Sequence, residues 1–384
     1  MKILDYLNLN PEAFGIDISD SSIRIVKLKK KGRASPTAGQ GLSLASFGQT
    51  SIKPGIIRDG KVRNEIGLVK AIQKAVKDVK GEKLKIKHVV ASFPEKNAFL
   101  QMIKMPKMGK EEMESAIRFE AENYIPISVH KVYLDFQIIP SVNKKQNYFE
   151  VLLVAMPKDI VDSYVACFRK AGLKIKALEI DSISIARALI KNKESSNPVL
   201  LMDLGATKTS FIMFNKNSLR FTASIPISCQ KFTEVISRVL EVDIKKAEKL
   251  KTKYGLKNPE RVHLKGKRNK AGFKKEIICQ ERIFEALIPI LTDLVEQTKS
   301  YLDYYKSHDV LGGFSGEKKE VEKIILCGGG ANLKGISSFL SLELKVLVQS
   351  GNPWINISKG IEMPLEESLE YTTAIGLALM GINK

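Results

Sequence analysis

Cysteine, histidine and tryptophan are scarce in this 384-residue chain: four, four and one. Cys167, Cys229, Cys279 and Cys327 never reach a CxxC spacing. That excludes a zinc ribbon or a dithiol redox motif, and sparse, unclustered cysteine in so long a chain fits a reducing compartment. His88, His130, His263 and His308 form no HxxxH or HExxH pair. A dedicated transition-metal centre is therefore not expected, while Mg2+ held through waters stays open. No apolar run approaches the about 18 residues that a membrane span needs. The opening MKILDYLNLNPEAFG has one lysine and a broken apolar pattern, unlike a signal peptide. The expectation is a cytoplasmic protein.

What is present is positive charge. Lys plus Arg is 62 against 42 Asp plus Glu, a formal +20. Such a balance favours an anionic partner, although a lysine-rich solvated surface also explains it. Apolar residues at 44% and charged residues at 27% are ordinary for a globular chain. The length suits two or three domains with a core that needs no staples.

The most informative feature is internal repetition. Residues 14–25 read FGIDISDSSIRI and residues 200–211 read LLMDLGATKTSF, with Asp203 lying 186 positions after Asp17 and Thr207 at the same offset from Ser21. Each segment is an apolar run ending in Asp, a small polar turn, and a second β-rich run, the pattern of a β-hairpin. A repeat at nearly half the chain length implies two related lobes.

Between the hairpins, helices and strands alternate. Leu68, Ile72, Ala75, Val76 and Val79 share one helical face over residues 65–79. HVVASFP (88–94) reads as a buried strand. Residues 110–125 form a helix with Glu111 and Glu112 at its start and Pro126 as its stop. VYLDFQII (132–139) and YFEVLLVAM (148–156) read as strands separated by NKKQN, so residues 95–156 form a small strand–helix–strand–strand module. A helix over 159–171, the strand KIKALEI, a helix from Asp181 to about residue 191 and the linker KNKESSNP follow. In the second half, 231–253 reads as helical and charged. KGKRNKAGFKK (265–275) reads as a loop or hairpin tip, 281–306 as a long helix, and 308–319 as a flexible loop. A strand then enters CGGGAN (327–332), and the chain closes with the apolar helix YTTAIGLALMGI.

A hydroxyl-rich hairpin turn can wrap phosphate oxygens with backbone N–H groups and Ser or Thr hydroxyls. The Asp that ends the preceding strand can accept from waters on a phosphate-bound Mg2+. The candidates are Asp17, Ser19, Ser21 and Ser22 in the first turn, and Asp203, Gly205, Ala206 and Thr207 in the second, with Asp17 and Asp203 as the residues facing Mg2+ through water. Two such turns facing each other would clamp a triphosphate across an interlobe cleft. Gly328, Gly329, Gly330 and Asn332 permit close approach of a ring or phosphate at a helix start. Glu248 and Lys251, three apart on one helical face, could hold ribose hydroxyls or form a plain ion pair. Asp181, between a strand and a helix, could orient an attacking water or cap the helix.

Taken in order, the two hairpins, AEKLK (247–251), GGGAN (328–332) and AIGLAL (374–379) resemble the actin-like ATPase superfamily over nearly the whole chain. More narrowly, IRFEAENYIPISVHKVYLDFQII (117–139) and AMPKDIVDSYVACFRKAGLKIKALEIDSISIARAL (155–189) look like the PilM family of type IV pilus assembly proteins, which shares its inserted module with the division protein FtsA. The resemblance implies an α/β actin-like ATPase fold with two duplicated lobes around a nucleotide cleft. It places the first lobe core at 1–94 and 157–195, closed by 372–384, and the inserted partner-binding module at 95–156. The second lobe core falls at 196–230 and 321–371, with a small subdomain at 231–320. It further implies ATP with Mg2+, slow or no hydrolysis, and a location at the inner face of the cell membrane. The implied partner is the N-terminal peptide of a PilN-like membrane protein. Tyr124, Ile125 and Pro126 are candidates for lining the partner groove, with core and turn positions as the alternative. Motor-side pilus components and an anionic membrane surface are further expected partners, and self-association stays open.

The first turn departs from the family pattern Asp-Ile-Gly-Ser-Ser-Ser. Ser19 stands at the glycine, a cost if that position needs positive φ. Asp20 adds a negative charge where a γ-phosphate would approach. The competing functions are an FtsA-like division protein, a sugar or acetate kinase, and a nucleic-acid binder. The first expects an amphipathic tail after AIGLALMGI, where the chain instead reaches Lys384. The second has no visible sugar-site cluster. The third has one aromatic, Phe273, in its basic stretch and no recognisable binding fold, so no nucleic-acid partner is expected. Type II secretion, whose machinery has homologous parts, shares the pilus reading.

Overall fold

The computed structural model describes residues 11–30, 41–139, 147–256, 271–307, 320–357 and 363–382. Its chain divides into two compact units. The first comprises residues 1–196, 214–222 and 352–384, and the second comprises 197–213 and 223–351.

The first unit is built on a six-stranded sheet with strands β1 (Phe14–Ile18), β2 (Ser22–Lys30), β3 (Leu42–Ser51), β6 (Lys80–Gly81), β7 (His88–Phe93) and β11 (Lys174–Ile180) in the order β11-β7-β1-β2-β3-β6. β1 runs antiparallel to β2 and parallel to β7, which runs parallel to β11. The carboxyl ends of β1, β7 and β11 therefore share one end of the sheet. That end carries the first aspartate turn and Asp181. The other end carries the close of β2 and the approach to β7. A small hairpin of β4 (Ile57–Arg58) and β5 (Lys61–Val62) follows β3.

One face of the sheet is covered by α1 (Glu65–Lys77) and α3 (Lys158–Lys170). Their apolar stripes, Leu68 and Ile72 on α1 and Ile160, Tyr164 and Phe168 on α3, bury against Phe14, Ile16 and Ile25. The other face takes α4 (Asp181–Leu189) and the closing α10 (Thr372–Gly381). These two helices cross so closely that a Cβ on Gly376 would lie 1.9 Å from the Ser184 carbonyl. That explains an apolar terminal helix studded with small residues. Arg187 of α4 seals the crossing by donating to the Gly376 carbonyl at 3.0 Å and pairing with Glu179.

Between β7 and α3 the chain makes β8 (Phe99–Pro106), α2 (Lys110–Ala121), β9 (Val132–Ile139) and β10 (Tyr148–Pro157). The strands form their own antiparallel sheet, ordered β8-β10-β9. Met113, Ile117, Ala121 and Ile125 close its core against Ile103, Val151 and Leu153. This is the expected strand–helix–strand–strand module.

The second unit carries most of a five-stranded sheet ordered β14-β13-β12-β15-β16, with β12 (Ser195–Leu204), β13 (Thr209–Lys216), β14 (Ser218–Ile225), β15 (Lys323–Cys327) and β16 (Leu347–Ser350). β12, β15 and β16 are parallel. Its helices are α5 (Cys229–Leu240), α6 (Ile244–Tyr254), α7 (Ala271–Ser307) and α8 (Ile336–Leu344). The expected helix over 231–253 is two helices, because Glu241 adopts φ +52 and ends α5. α7 starts ten residues earlier than its apolar pattern suggests, so residues 271–275 of the basic stretch are helix, not loop. The rest of that stretch and the expected loop at 308–319 lie outside the described residues. The short helix α9 (Leu365–Leu369) precedes α10.

Candidate functional site

Both aspartate turns are present. In the first unit, β1 ends at Ile18 and β2 begins at Ser22, so Asp17 sits on the last turn of strand before residues 19–21. The turn is closed by its own hydroxyls. The Ser19 N–H and hydroxyl both donate to the Ser22 carbonyl, at 2.9 and 3.1 Å. The Ser22 N–H donates back to Ser19 Oγ at 3.1 Å. Ser19 is not among the residues of positive φ. The expected backbone cost of losing a glycine is therefore absent: the serine occupies an ordinary conformation and supplies a side-chain bond that glycine lacks.

Asp20 also has a local partner. Its Oδ1 accepts the Gly60 N–H at 3.1 Å, and the Gly60 carbonyl accepts the buried Tyr164 hydroxyl at 3.1 Å. Gly60 lies at φ +72 in the β4–β5 turn, which Asn97 grips by donating to the Asp59 carbonyl at 3.0 Å. Lys96 pairs with Asp59 and holds its carboxyl below the usual range. Burial, assisted by the charges of Asp20, Cys167 and Asp17, pushes the Tyr164 hydroxyl well above its ordinary value, so it stays a donor. Asp17 Oδ1 accepts the hydroxyl of the buried Ser92 at 2.8 Å. Ser21 contributes its carbonyl to the Ile52 N–H at 2.8 Å. Ser92, Gly60 and Tyr164 escaped the sequence analysis because each comes from a different element and no local pattern marks it. Asp181 is the first residue of α4, preceded by Ile180 as the cap, and its carboxylate accepts the Ser182 N–H at 3.0 Å.

The second turn is constructed by close packing. The Gly205 N–H donates to the Lys208 carbonyl at 3.0 Å. The Gly205 and Ala206 carbonyls accept the Cys229 and Gln230 N–H groups of α5 at 3.1 and 3.2 Å. Ala206 and Thr207 are exposed at its tip. Asp203 lies against the glycine run. Gly328 has φ +77, and a Cβ there would fall 2.2 Å from Asp203 Oδ1. A Cβ on Gly330 would fall 2.5 Å from Cys229 Sγ and 2.6 Å from Leu204 Cβ. Two of the three glycines are thus required by the protein's own packing, and Gly329, exposed, is the one that offers bare backbone outward. Asn332 follows, half-buried, in the same short turn.

Glu248 and Lys251 come together as the spacing on α6 predicts, at 2.7 Å. The structure adds what the spacing could not show. The Lys251 ammonium, 10% exposed, also donates to the Cys229 carbonyl at 3.1 Å and to Thr233 Oγ1 at 2.8 Å. The Thr233 hydroxyl donates in turn to Glu248. Lys251 thus ties α6 to the start of α5, the helix whose first amides hold the second turn, while Glu248 keeps half its surface in solvent. Within the second unit, an exposed carboxylate, a tethered ammonium, an aspartate-led turn and a bare glycine are the donor and acceptor set a nucleotide needs. No group of three or more metal-ligating side chains occurs among the described residues.

The three expected partner residues are divided by the fold. Tyr124 is 45% exposed and Pro126 is exposed, whereas Ile125 is buried in the module core. Ile125 therefore supports the surface and is not part of it.

Comparison with known proteins places this geometry. A family model described as type IV pilus assembly protein PilM matches residues 15–264, and one for cell division protein FtsA matches residues 200–376. FtsA of Enterococcus hirae is 26% identical over 188 residues, covering 48% of this chain and 40% of that protein. The chain spans about 40% of the length of the first curated relatives it matches. A structure titled PilM-PilN type IV pilus biogenesis complex is 24% identical, with TM-score 0.77, covering 98% of this chain and all of that one. MreB5 of Spiroplasma citri bound to AMPPNP is 11% identical, with TM-score 0.52 over 96% of each chain. These likenesses establish the actin-like ATPase fold. With the matched region taking in the first turn, the inserted module, the second turn and the Glu248–Lys251 pair, the chain belongs to the type IV pilus assembly protein PilM family.

Proposed function

We propose that this protein is a nucleotide-binding scaffold of type IV pilus assembly that recruits the cytoplasmic N-terminal peptide of a PilN-like membrane protein. The single observation that carries the nucleotide part is the convergence of Asp203, Gly328, Gly329 and the Lys251–Thr233–Glu248 network around one turn in the second unit. ATP fits this set: Glu248 has the exposed oxygen a ribose hydroxyl needs, and the 205–207 turn and Gly329 supply approachable backbone. In the second unit Asp203 is the residue to hold a water on Mg2+, which would supply charge neutralisation to the phosphates when bound, and Asp17 is its counterpart in the first unit's turn. The first turn spends its Ser19 and Ser22 hydroxyls on itself, which supports slow or no hydrolysis. Asp181 is then a residue for orienting water at most weakly, because Ser182 already engages it.

The partner part draws on the family and on a solved relative titled as a complex with PilN. Tyr124 and Pro126, exposed at the end of α2, are offered as part of the peptide groove. A location at the inner face of the membrane follows from that partner, and no helix among the described residues is long and apolar enough to cross a membrane. The test has two arms. ATP with Mg2+ should raise the unfolding temperature, since a ligand specific for the native state stabilises it. A labelled PilN N-terminal peptide should bind, and Tyr124→Ala should weaken it. Absence of both effects defeats the proposal. The FtsA match over 200–376 favours a second reading, a division protein, which nucleotide binding without any binding of the PilN peptide would support.

A further inference from the structure

The end of the six-stranded sheet remote from the first aspartate turn is unusually basic. The register fixes which residues meet there. β2 finishes with Lys29 and Lys30, the latter opposite Leu42 at the start of β3, and β11 begins with Lys174, opposite His88. Between β6 and β7 the chain must pass beneath β3, β2 and β1, about 19 Å at the usual strand spacing. Residues 83–87, KLKIK, make that crossing. Leu84 and Ile86 pack against the unit's core, and Lys83, Lys85 and Lys87, alternating with them, are all exposed. The Lys87 carbonyl accepts the Lys174 N–H at 2.8 Å, locking the crossing to the sheet.

The outcome is a row of three exposed lysines alternating with Leu84 and Ile86, flanked by exposed Lys29, Lys30 and Lys174. Among the described residues, the acidic side chains near this end include Glu12, Glu82 and Glu65, the last paired with Lys170 ahead of β11. Glu82 is already paired with Lys29 at 2.5 Å, and Lys29, Lys27 and Lys85 together lower its pKa. The aspartates Asp17, Asp20 and Asp181 belong to the opposite end of the sheet. A helix-dipole role does not account for Lys83, Lys85 and Lys87, which lie outside any helix.

We propose that this lysine end is a docking surface for an anionic phospholipid bilayer. The array is a line across the width of a sheet, suited to an extended surface of headgroups. It contains lysine without arginine forks, and the exposed Phe119, Tyr124 and Tyr133 belong to the inserted module. Polybasic segments near an anionic leaflet gain affinity from its surface potential without specific contacts. The orientation turns the aspartate end of the unit towards the cytoplasm. The choice of a membrane rests on the pilus-assembly reading. The surface itself is independent of the nucleotide turns and of Tyr124.

The test is co-sedimentation of the full chain with phosphatidylcholine vesicles with and without phosphatidylglycerol, at low and high salt. The wild type should bind only the anionic vesicles, and only at low salt. Lys83→Glu/Lys85→Glu/Lys87→Glu should weaken binding by more than about a hundredfold, because it reverses three charges near the surface. The neutral Lys83→Gln/Lys85→Gln/Lys87→Gln should lose about a hundredfold, from three lysines at about 1 kcal/mol each. Lys107→Glu/Lys299→Glu/Lys306→Glu, with the same charge change elsewhere, should lose least. Equal losses in the first and last of these variants would reduce the effect to net charge and overturn the proposal. So would absence of vesicle binding by wild type, or binding to duplex DNA or RNA in its place. PilN-peptide titration of the same proteins separates the outcomes. Peptide binding without vesicle binding defeats the surface alone, and vesicle binding without peptide binding defeats the pilus reading alone.

Discussion

The first aspartate turn is held by side chains and the second by the absence of them. In the first, Ser19 and Ser22 bond to each other, Asp20 reaches the Gly60 amide and Tyr164 braces Gly60 from beneath. In the second, Gly328 and Gly330 let the chain lie directly on Asp203, Leu204 and Cys229. Two segments with the same sequence logic, an apolar strand ending in Asp before a small polar turn, thus reach similar hairpins by different means. The lesson is that a turn motif specifies a backbone path, and the surroundings decide which of its polar groups remain for a ligand. Asp20 illustrates this. Read alone it is a misplaced negative charge, yet its carboxylate has a backbone partner of its own.

That contrast can be broken at its strongest point first. Gly328→Val places a side chain on Asp203 at positive φ and should cost about 3 kcal/mol, with loss of the ATP-dependent rise in unfolding temperature. Thermal unfolding with and without ATP and Mg2+ measures both. Lys251→Met removes three bonds and leaves the Cys229 carbonyl and Thr233 without their cation, at about 2 kcal/mol. ATP affinity by calorimetry should fall with it, because α5 carries the second turn. In the first turn Asp20→Ala should cost only about 1 kcal/mol. It should not weaken ATP binding, since it removes a negative charge, and a lost ATP response would show that Asp20 positions the turn for the ligand. Ser19→Gly, which restores the family residue, should destabilise by about 0.5–1 kcal/mol through the lost side-chain bonds.

The last expectation is a pH dependence, small near neutrality. Burial pushes the Cys167 thiol up to about 11 from 9.0 and the Tyr371 hydroxyl up to about 12 from 10.0, and raises Tyr164 as well. These groups hold their protons more tightly when folded. Stability is therefore full below pH 9 and declines as the pH rises above it, because the unfolded chain ionises first. Tyr164→Phe should flatten part of that decline, as seen in denaturant midpoints at increasing pH. An unchanged slope would mean that Tyr164 ionises as readily folded as unfolded.

Much of the fold was legible because its elements announce themselves locally. The stripe Leu68, Ile72 and Ala75, the FEAENYIP helix end and the alternating YFEVLLVAM strand all appear where their periodicity puts them. The failures were at boundaries. Glu241 breaks a continuous charged pattern with a left-handed residue that no propensity marks, and α7 begins within a lysine-rich stretch that reads as a loop. Of the proposed site residues, the repeated Asp17 and Asp203, the glycine run and the Glu248–Lys251 spacing were visible. Ser92 and Tyr164 in the first unit, and Thr233 in the second, were not, for each meets its partners across elements.

The amino-acid sequence alone determined where strands and helices form, because hydrophobic period and turn chemistry act within a few residues. It also determined that two aspartate-led hairpins recur half a chain apart. Only the folded arrangement decided which hydroxyls and carboxylates are already engaged, which glycines serve packing, that Ile125 turns inward while Tyr124 stays out, and that scattered lysines line up at one end of a sheet. Those outcomes depend on residues far apart in the chain being brought within hydrogen-bond or contact distance, and a one-dimensional pattern carries no such distances.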